Sequence, residues 1–329
     1  MTFDELLMLL RSNDNFLLVS HADPDGDALG SEYALCQILR SLGKKVTILN
    51  ADRGSHRYLF FDEEKLITSL EEGTKVPPDL NRKILVLLDT SDYQHTGLAR
   101  SEIIPLAGQV LIIDHHEALR PPPAPFYIDN TAAATCQIVF ELAQALKVKI
   151  ELPMAKALFM GLVFDTGSFI YSKTSARTFE IAKDLVLAGV KPKEIHAQLY
   201  ETIEPQRMKL LAKVQSTLTL TYQDRIAYQI LTQVMLQESG AEADDAVNFI
   251  DYPLKCQTVL VSLFLKEVAP GQYRCSLRSK DNINVANIAL KYGGGGHQNA
   301  AGFACPVMPL EKLKEMLIRL LEDLLSTGR

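Results

Sequence analysis

The 329-residue chain lacks a long apolar run, a cysteine pair motif and an excess of basic residues, and each absence argues against a class of function. No stretch approaches the ~18 consecutive apolar residues that span a bilayer, so a membrane-embedded protein is not expected. The five cysteines (Cys36, Cys136, Cys256, Cys275 and Cys305) are scattered, odd in number and never spaced C-x-x-C. That pattern fits neither a disulfide framework nor a zinc–thiolate site, and it points to a reducing cytoplasm. With 34 Lys and Arg against 40 Asp and Glu, the net charge is −6. A protein that grips long duplex nucleic acid needs a broad basic face. A small anionic substrate, partly neutralised by metal ions, fits this balance better. Residues Met1–Arg11 carry Asp4 and Glu5 and no basic flank ahead of their leucines, which predicts an amphipathic helix and not a signal peptide. Long repeats and low-complexity tails are also missing.

What is present is enough hydrophobic content, 47%, for two real cores. The runs Phe16–Ser20, Val46–Leu49, Ile84–Leu88 and Val110–Ile113 are short and continuously apolar, as in parallel strands buried on both faces. Helical spacing over Ala28–Leu42, ended by Gly43, alternates with them, and this predicts a doubly wound α/β domain. Helices then dominate: Ala132–Leu146, Pro153–Phe164, Ala176–Ala188 and Pro192–Leu199. Beyond a charged helical stretch the texture changes to alternating strands at Ser216–Tyr222, Arg225–Ile230, Val259–Lys266 and Gln272–Arg278, the last two joined by Pro270-Gly271. Ala286–Leu290, a glycine run and an amphipathic helix at Leu310–Leu325 follow. The expected fold class is α/β: an N-terminal, doubly wound, mostly parallel domain at 1–200, a linker at 201–215, and a smaller C-terminal α/β domain with a mixed sheet at 216–329.

Chemistry concentrates where apolar segments end. His21-Ala22-Asp23-Pro24-Asp25-Gly26-Asp27 follows Phe16–Val19, Asp89 follows Ile84–Leu88, Asp114-His115-His116 follows Val110–Ile113, and Asp165 follows Ala157–Phe164. If three of these segments are parallel strands, their ends meet at one sheet edge, where open α/β folds place ligands. Hard carboxylates with one or two imidazoles suit Mn²⁺ or Mg²⁺ better than a thiolate set would. Two such cations can activate water and stabilise in-line attack on phosphorus. A second signal is Gly293-Gly294-Gly295-Gly296-His297, followed by Gln298-Asn299-Ala300-Ala301-Gly302-Phe303. Consecutive glycines let the backbone approach an anion closely, and His297 can donate to a phosphate or carboxylate. Arg278 ends a predicted strand just before this run. Arg100 and Lys173 are cations that the sequence does not place.

The motifs His21…Asp25-Gly26-Asp27-Ala28, Asp89, Asp114-His115-His116 and Asp165-Thr166-Gly167, in that order over roughly the first 200 residues, resemble the four motifs of the DHH phosphoesterase superfamily. The glycine run and Ala300-Ala301-Gly302 resemble the domain that accompanies many DHH domains and binds the nucleotide part of the substrate. The resemblance is closest to the bacterial nano-RNase and pAp phosphatase group. It implies one metal held by His21, Asp25 and Asp89, and a second held by Asp27, Asp89, His115 and Asp165, with Asp89 bridging. His116 faces substrate in that pattern, and Asp114 orients the histidines. Arg278, Gly294, Gly295, Gly296, His297 and Asn299 are the implied substrate contacts. The expected activity is two-metal hydrolysis, most naturally with Mn²⁺ and also with Mg²⁺ or Co²⁺, of very short oligoribonucleotides and of 3′-phosphoadenosine 5′-phosphate (pAp). The alternatives are hydrolysis of cyclic or linear dinucleotides and a non-catalytic nucleotide-binding regulator. The resemblance is compatible with a homodimer. The order Arg278-Ser279-Lys280, in place of Ser-Arg-Lys, argues against pyrophosphate as the main substrate.

Overall fold

The computed structural model describes residues 1–117 and 120–327. The chain divides into two compact units, Met1–Thr202 and Ile203–Arg329. The last two residues of the expected second domain lie outside the described residues.

The first unit runs α1 (Phe3–Ser12), β1 (Asn15–Val19), α2 (Gly26–Ser41), β2 (Lys45–Asn50), β3 (Ile67–Ser69), β4 (Ile84–Leu88), α3 (Ala99–Glu102), β5 (Gln109–Asp114), β6 (Phe126–Ile128), α4 (Thr135–Ala145), α5 (Leu152–Asp165), α6 (Ala176–Leu187) and α7 (Pro192–Tyr200). Its six strands are all parallel, in the order β3-β2-β1-β4-β5-β6. Both faces are covered, which is why the strands read as unbroken apolar runs. Phe16 and Leu18 enter the core shared with α2, α4 and α5, while Leu17 and Val19 meet Leu80, Ala99 and Ile103 on the other side. The strand order reverses between β1 and β4, and such a switch point opens a crevice at the carboxyl ends of the strands. The edge strands β3 and β6, three residues each, are too short to leave a periodic signature in the sequence.

Helix α2 is buried along most of its length and lies tightly on α5. At Gly30 a side chain would meet the Ala157 carbonyl oxygen at 2.5 Å, so glycine sets the distance between the helices. Helix α5 ends on Asp165, so the fourth acidic position comes from a helix C-terminus, Asp25 and Asp27 from the start of α2, and Asp89 and Asp114 from strand ends.

The second unit holds α8 (Pro205–Gln215), β7 (Thr219–Thr221), β8 (Ile226–Leu231), α9 (Gln233–Ser239), β9 (Val261–Ala269), β10 (Gln272–Ser279), α10 (Ala286–Lys291), β11 (Gly295–His297), β12 (Ala300–Ala304) and α11 (Leu310–Thr327). The sheet order is β11-β12-β10-β9-β8-β7. Only β8 and β9 are parallel, so the sheet is mixed. Most of the stretch expected as a linker is α8, whose Leu210 and Val214 pack against Leu231, Leu236 and Phe264 of the second unit.

Candidate metal centre

The switch point gathers the acidic and imidazole residues. His21 lies two positions past β1, Asp89 directly follows β4, and Asp114 ends β5 with His115 and His116 after it. Three overlapping groups have one donor atom per residue, all within 4.8 Å of one another: His21, Asp25 and Asp89; Asp27, His115 and Asp165; and Asp89, His115 and His116.

Each side chain is aimed by a partner. The His21 Nδ1–H donates to the Ala22 carbonyl at 2.8 Å, which leaves the Nε2 lone pair directed at Asp25 and Asp89, 3.9 and 3.8 Å away. Asp25 caps α2: its Oδ1 accepts from the backbone N–H groups of Asp27 and Ala28, and its Oδ2 faces His21. Asp27 is fully buried at the start of α4, where its two oxygens accept from the backbone N–H groups of Thr135 (2.6 Å) and Cys136 (2.9 Å). Since Ala134 offers no side-chain cap, Asp27 supplies one from another helix.

Asp89 divides its oxygens. Oδ2 lies 3.8 Å from His21 Nε2, and Oδ1 lies 3.6 Å from His115 Nε2 while accepting from Thr135 Oγ1 at 2.8 Å. Its φ of +61° is a left-handed conformation that Asp adopts more readily than most residues, and its N–H donates to the Ile113 carbonyl on β5. Asp165 sits at the negative end of the α5 dipole, so its carboxylate deepens a potential that favours a cation. Asp114 Oδ1 accepts from the backbone N–H of His115 and His116 and from His116 Nδ1 at 2.8 Å. These bonds fix the histidine pair, whose imidazoles contact edge-on. His116 is half-exposed and the other ligand-type side chains are more enclosed.

A divalent cation fits this arrangement on two grounds. His115 Nε2 is buried and makes no hydrogen bond, although Asp165 Oδ2 lies 2.9 Å away, off-line, and Asp27 and Asp89 oxygens lie within 3.9 Å. A donor atom orphaned among three carboxylates is satisfied by a shared cation. The crowding is also unfavourable without one. Burial, then the neighbouring Asp165, pushes the Asp27 carboxyl well above the ordinary carboxylate range. Burial, then Asp27, Asp25 and Asp165, does the same to Asp89. Burial opposes the charged form of His115, but Asp165 and Asp27 outweigh it and raise the imidazole's pKa. Asp114 is held below its ordinary value: burial acts against this, and the hydrogen bonds and charge of His116 prevail.

Three contributors to the centre were not assigned from the sequence. Thr135 ties Asp89 to Asp27, and the only hint was its position at a predicted helix start. Lys173 donates to the His115 carbonyl at 3.1 Å. Beneath His21, the buried Asn50 accepts from the backbone N–H of Ser20 and donates to Glu32 Oε2 at 2.8 Å. Burial raises the Glu32 pKa to about 8.

In the second unit the glycine run forms an exposed edge strand. Gly295 pairs with Gly302, Gly296 with Ala301 and His297 with Ala300. Arg278 on β10 also pairs with Ala300. Laterally paired residues share a sheet face, so Arg278 and His297 flank Ala300 in one row, roughly 10 Å apart by strand spacing. Gly302 lies two residues along on the same face. A side chain at Gly294 would strike the Gly302 carbonyl at 2.2 Å, and one at Gly296 the Ala300 carbonyl at 2.3 Å. The Arg278 guanidinium is half-exposed, with Nε 3.8 Å from Asp251. Asn299 uses its amide N–H groups on Ser279, Asp281 and Ile283, closing the loop between β10 and α10.

Fold and donor set together define an α/β protein equipped for hard divalent cations at its switch point. Comparisons agree with that class. The model of the DHH family, N-terminal domain, matches residues 15–162, and that of the DHHA1 domain matches residues 224–327. The bifunctional oligoribonuclease and PAP phosphatase NrnA of Thermus thermophilus is 31% identical over 311 residues, covering 94% of this chain and 90% of that protein. The cyclic-di-AMP phosphodiesterase GdpP of Geobacillus thermodenitrificans is 25% identical over 340 residues, 98% of this chain but 49% of that protein. The crystal structure of an exopolyphosphatase-related protein from Bacteroides fragilis superposes with a TM-score of 0.80 at 23% identity, over 97% of this chain and 95% of that one. The chain belongs to the DHH family.

Proposed function

We propose that this protein is a metal-dependent hydrolase of very short oligoribonucleotides and of pAp. The observation that carries the reading is the divided carboxylate of Asp89, with one oxygen toward His21 and Asp25 and the other toward His115 and the Asp27–Asp165 group. On this reading His21, Asp25 and Asp89 hold one cation, and Asp27, Asp89, His115 and Asp165 hold a second. Manganese suits the mixture of imidazole and carboxylate donors, with Mg²⁺ or Co²⁺ as substitutes. When bound, such ions acidify water and neutralise charge at phosphorus. His116, steadied through Nδ1 by Asp114, presents its other nitrogen to substrate, where it stabilises phosphate charge or protonates the leaving oxygen.

The second unit is the nucleotide-binding part of this proposal. Arg278 and His297 take phosphate oxygens across the small-residue floor of Ala300 and Gly302, and the exposed Gly295 and Gly296 let a phosphate approach the backbone closely, whereas the Gly294 N–H is taken by the Ala289 carbonyl. Asn299 shapes the adjoining loop. A relative named as an oligoribonuclease and PAP phosphatase, at 31% identity over nearly the full length of both chains, supports the substrate class. Among the described residues no helix is long and apolar enough to cross a membrane. A cytoplasmic setting and a homodimer belong to the same reading; unpaired cysteines support the former.

A second reading, a dinucleotide phosphodiesterase, is favoured by the likeness to GdpP, of which this chain spans about half. A side-by-side panel with Mn²⁺ separates the two: pAp, the linear dinucleotide pApA, cyclic di-AMP, a pentameric RNA and pyrophosphate. Turnover of pAp and pApA well above the rest is expected. Preference for cyclic di-AMP would establish the second reading, and no hydrolysis of any nucleotide would overturn both.

A further inference from the structure

We propose that Lys173 is a direct ligand of the substrate phosphate at this centre, donating to a non-bridging oxygen of the group under attack. The proposal deepens the phosphoesterase reading and rests on it.

Lys173 lies in the segment that leaves α5 just after Asp165. That segment reverses sharply: Gly167, Ser168 and Phe169 are all left-handed, with φ of +55°, +62° and +69°. It is pinned by backbone bonds from Ile170 and Tyr171 to the Thr166 carbonyl, each 2.9 Å, and by Phe169 N–H to Thr166 Oγ1. The reversal returns the chain to the histidine pair, where Lys173 Nζ donates to the His115 carbonyl at 3.1 Å. The residue is exposed, while its bond to the His115 carbonyl lies in a partly buried setting. An ammonium has three N–H donors, and this one spends a single donor on the protein. Among the described residues no carboxylate pairs with it, although the centre next door is dense in them.

Charge balance gives this cation a task. Asp25, Asp27, Asp89 and Asp165 bring four negative charges, which two divalent cations would cancel, and Asp114 behind the histidines adds a fifth. A phosphate entering such a set meets little net attraction from the centre as a whole. Lys173 adds a positive charge one residue from His116, on the backbone of the histidine that closes the ligand set. Merely fixing the His115 carbonyl needs only a neutral donor. A long side chain that gives up rotamer freedom to make this bond is better explained by the charge it delivers.

The test uses the full chain with Lys173→Met and Lys173→Arg, loaded with Mn²⁺. Three quantities are measured: KM for pAp, affinity for AMP as a phosphate probe, and affinity for Mn²⁺ alone. Lys173→Met is expected to raise KM and weaken AMP binding about tenfold, the scale of one charge-assisted hydrogen bond. Mn²⁺ affinity should stay within about twofold, since the metal donors are untouched. Lys173→Arg should recover most of the loss. Unchanged KM and AMP binding would overturn the proposal. So would a parallel loss of Mn²⁺ affinity, which would make Lys173 a support for His115 only. A wild-type protein that binds AMP through Lys173 yet hydrolyses none of the panel would sink the phosphoesterase reading and leave the phosphate contact standing.

Discussion

Thr135 Oγ1 stands 2.8 Å from Asp89 Oδ1, and the same residue's backbone N–H reaches Asp27 Oδ2 at 2.6 Å. One threonine at a helix start therefore orients two carboxylates that arrive from different elements. Its hydroxyl also occupies one lone pair of Asp89, which narrows the directions left for a cation.

Replacing this residue tests the arrangement. Thr135→Val keeps the shape and the backbone N–H but removes the donor to a buried carboxylate. Outer partners of metal ligands are typically worth tenfold to a hundredfold in metal affinity or activity. Mn²⁺ affinity, measured by calorimetry, should fall about tenfold, and Thr135→Ser should restore it. Equal affinities for wild type and valine variant would remove Thr135 from the centre.

Much of this site could be read from the sequence because its residues lie at the ends of apolar runs. Asp89 follows five buried residues of β4, and Asp114-His115-His116 ends β5, so period and position alone brought them to one sheet edge. Thr135 and Lys173 were less legible for a physical reason. Thr135 acts through a backbone N–H and a hydroxyl across 108 and 46 residues of separation from its partners. Lys173 is aimed by a three-residue left-handed reversal that only one glycine announces. The glycine run offered less than its composition suggested. Four glycines suggest a backbone open to an anion, yet Gly294 and Gly296 are glycine because the backbone there approaches the Gly302 and Ala300 carbonyls, and Gly295–His297 is an edge strand.

Glu32 supplies a pH prediction. Its carboxyl is fully buried, accepts from Asn50, and has a folded pKa near 8, against an ordinary value close to 4.5. An acid whose pKa is raised on folding stabilises the fold below its unfolded pKa, and this stabilisation is lost as pH rises toward the folded value. The metal-free protein should therefore lose stability between about pH 4.5 and pH 8, by as much as a few kcal/mol. Glu32→Gln, which cannot ionise, should make that slope shallower, leaving the share that the raised Asp27 and Asp89 contribute. Thermal denaturation in chelator across the range checks it; identical slopes would show that Glu32 titrates normally in the folded chain.

Gly161 offers the sharpest link between packing and the centre. It lies in α5 against α2 and the start of α4, and a Cβ there would sit 2.3 Å from Cys136 Sγ and 2.7 Å from Asp27 Oδ1. Neither neighbour yields easily. Cys136 is fully buried, with Sγ bonded to Ser31, and Asp27 is held at both oxygens by the first N–H groups of α4. Gly161→Ala should thus cost about 1–3 kcal/mol of stability through overpacking. It should also weaken Mn²⁺ binding, because the strain is relieved partly by moving a carboxylate of the proposed cation site. The double variant Gly161→Ala, Cys136→Ala separates the two effects. Removing the sulfur relieves the closer clash, so most of the stability should return, while the contact with Asp27 persists and metal affinity stays reduced. Full recovery of both would mean that the carboxylate never felt the methyl group, and that Gly161 serves helix packing alone.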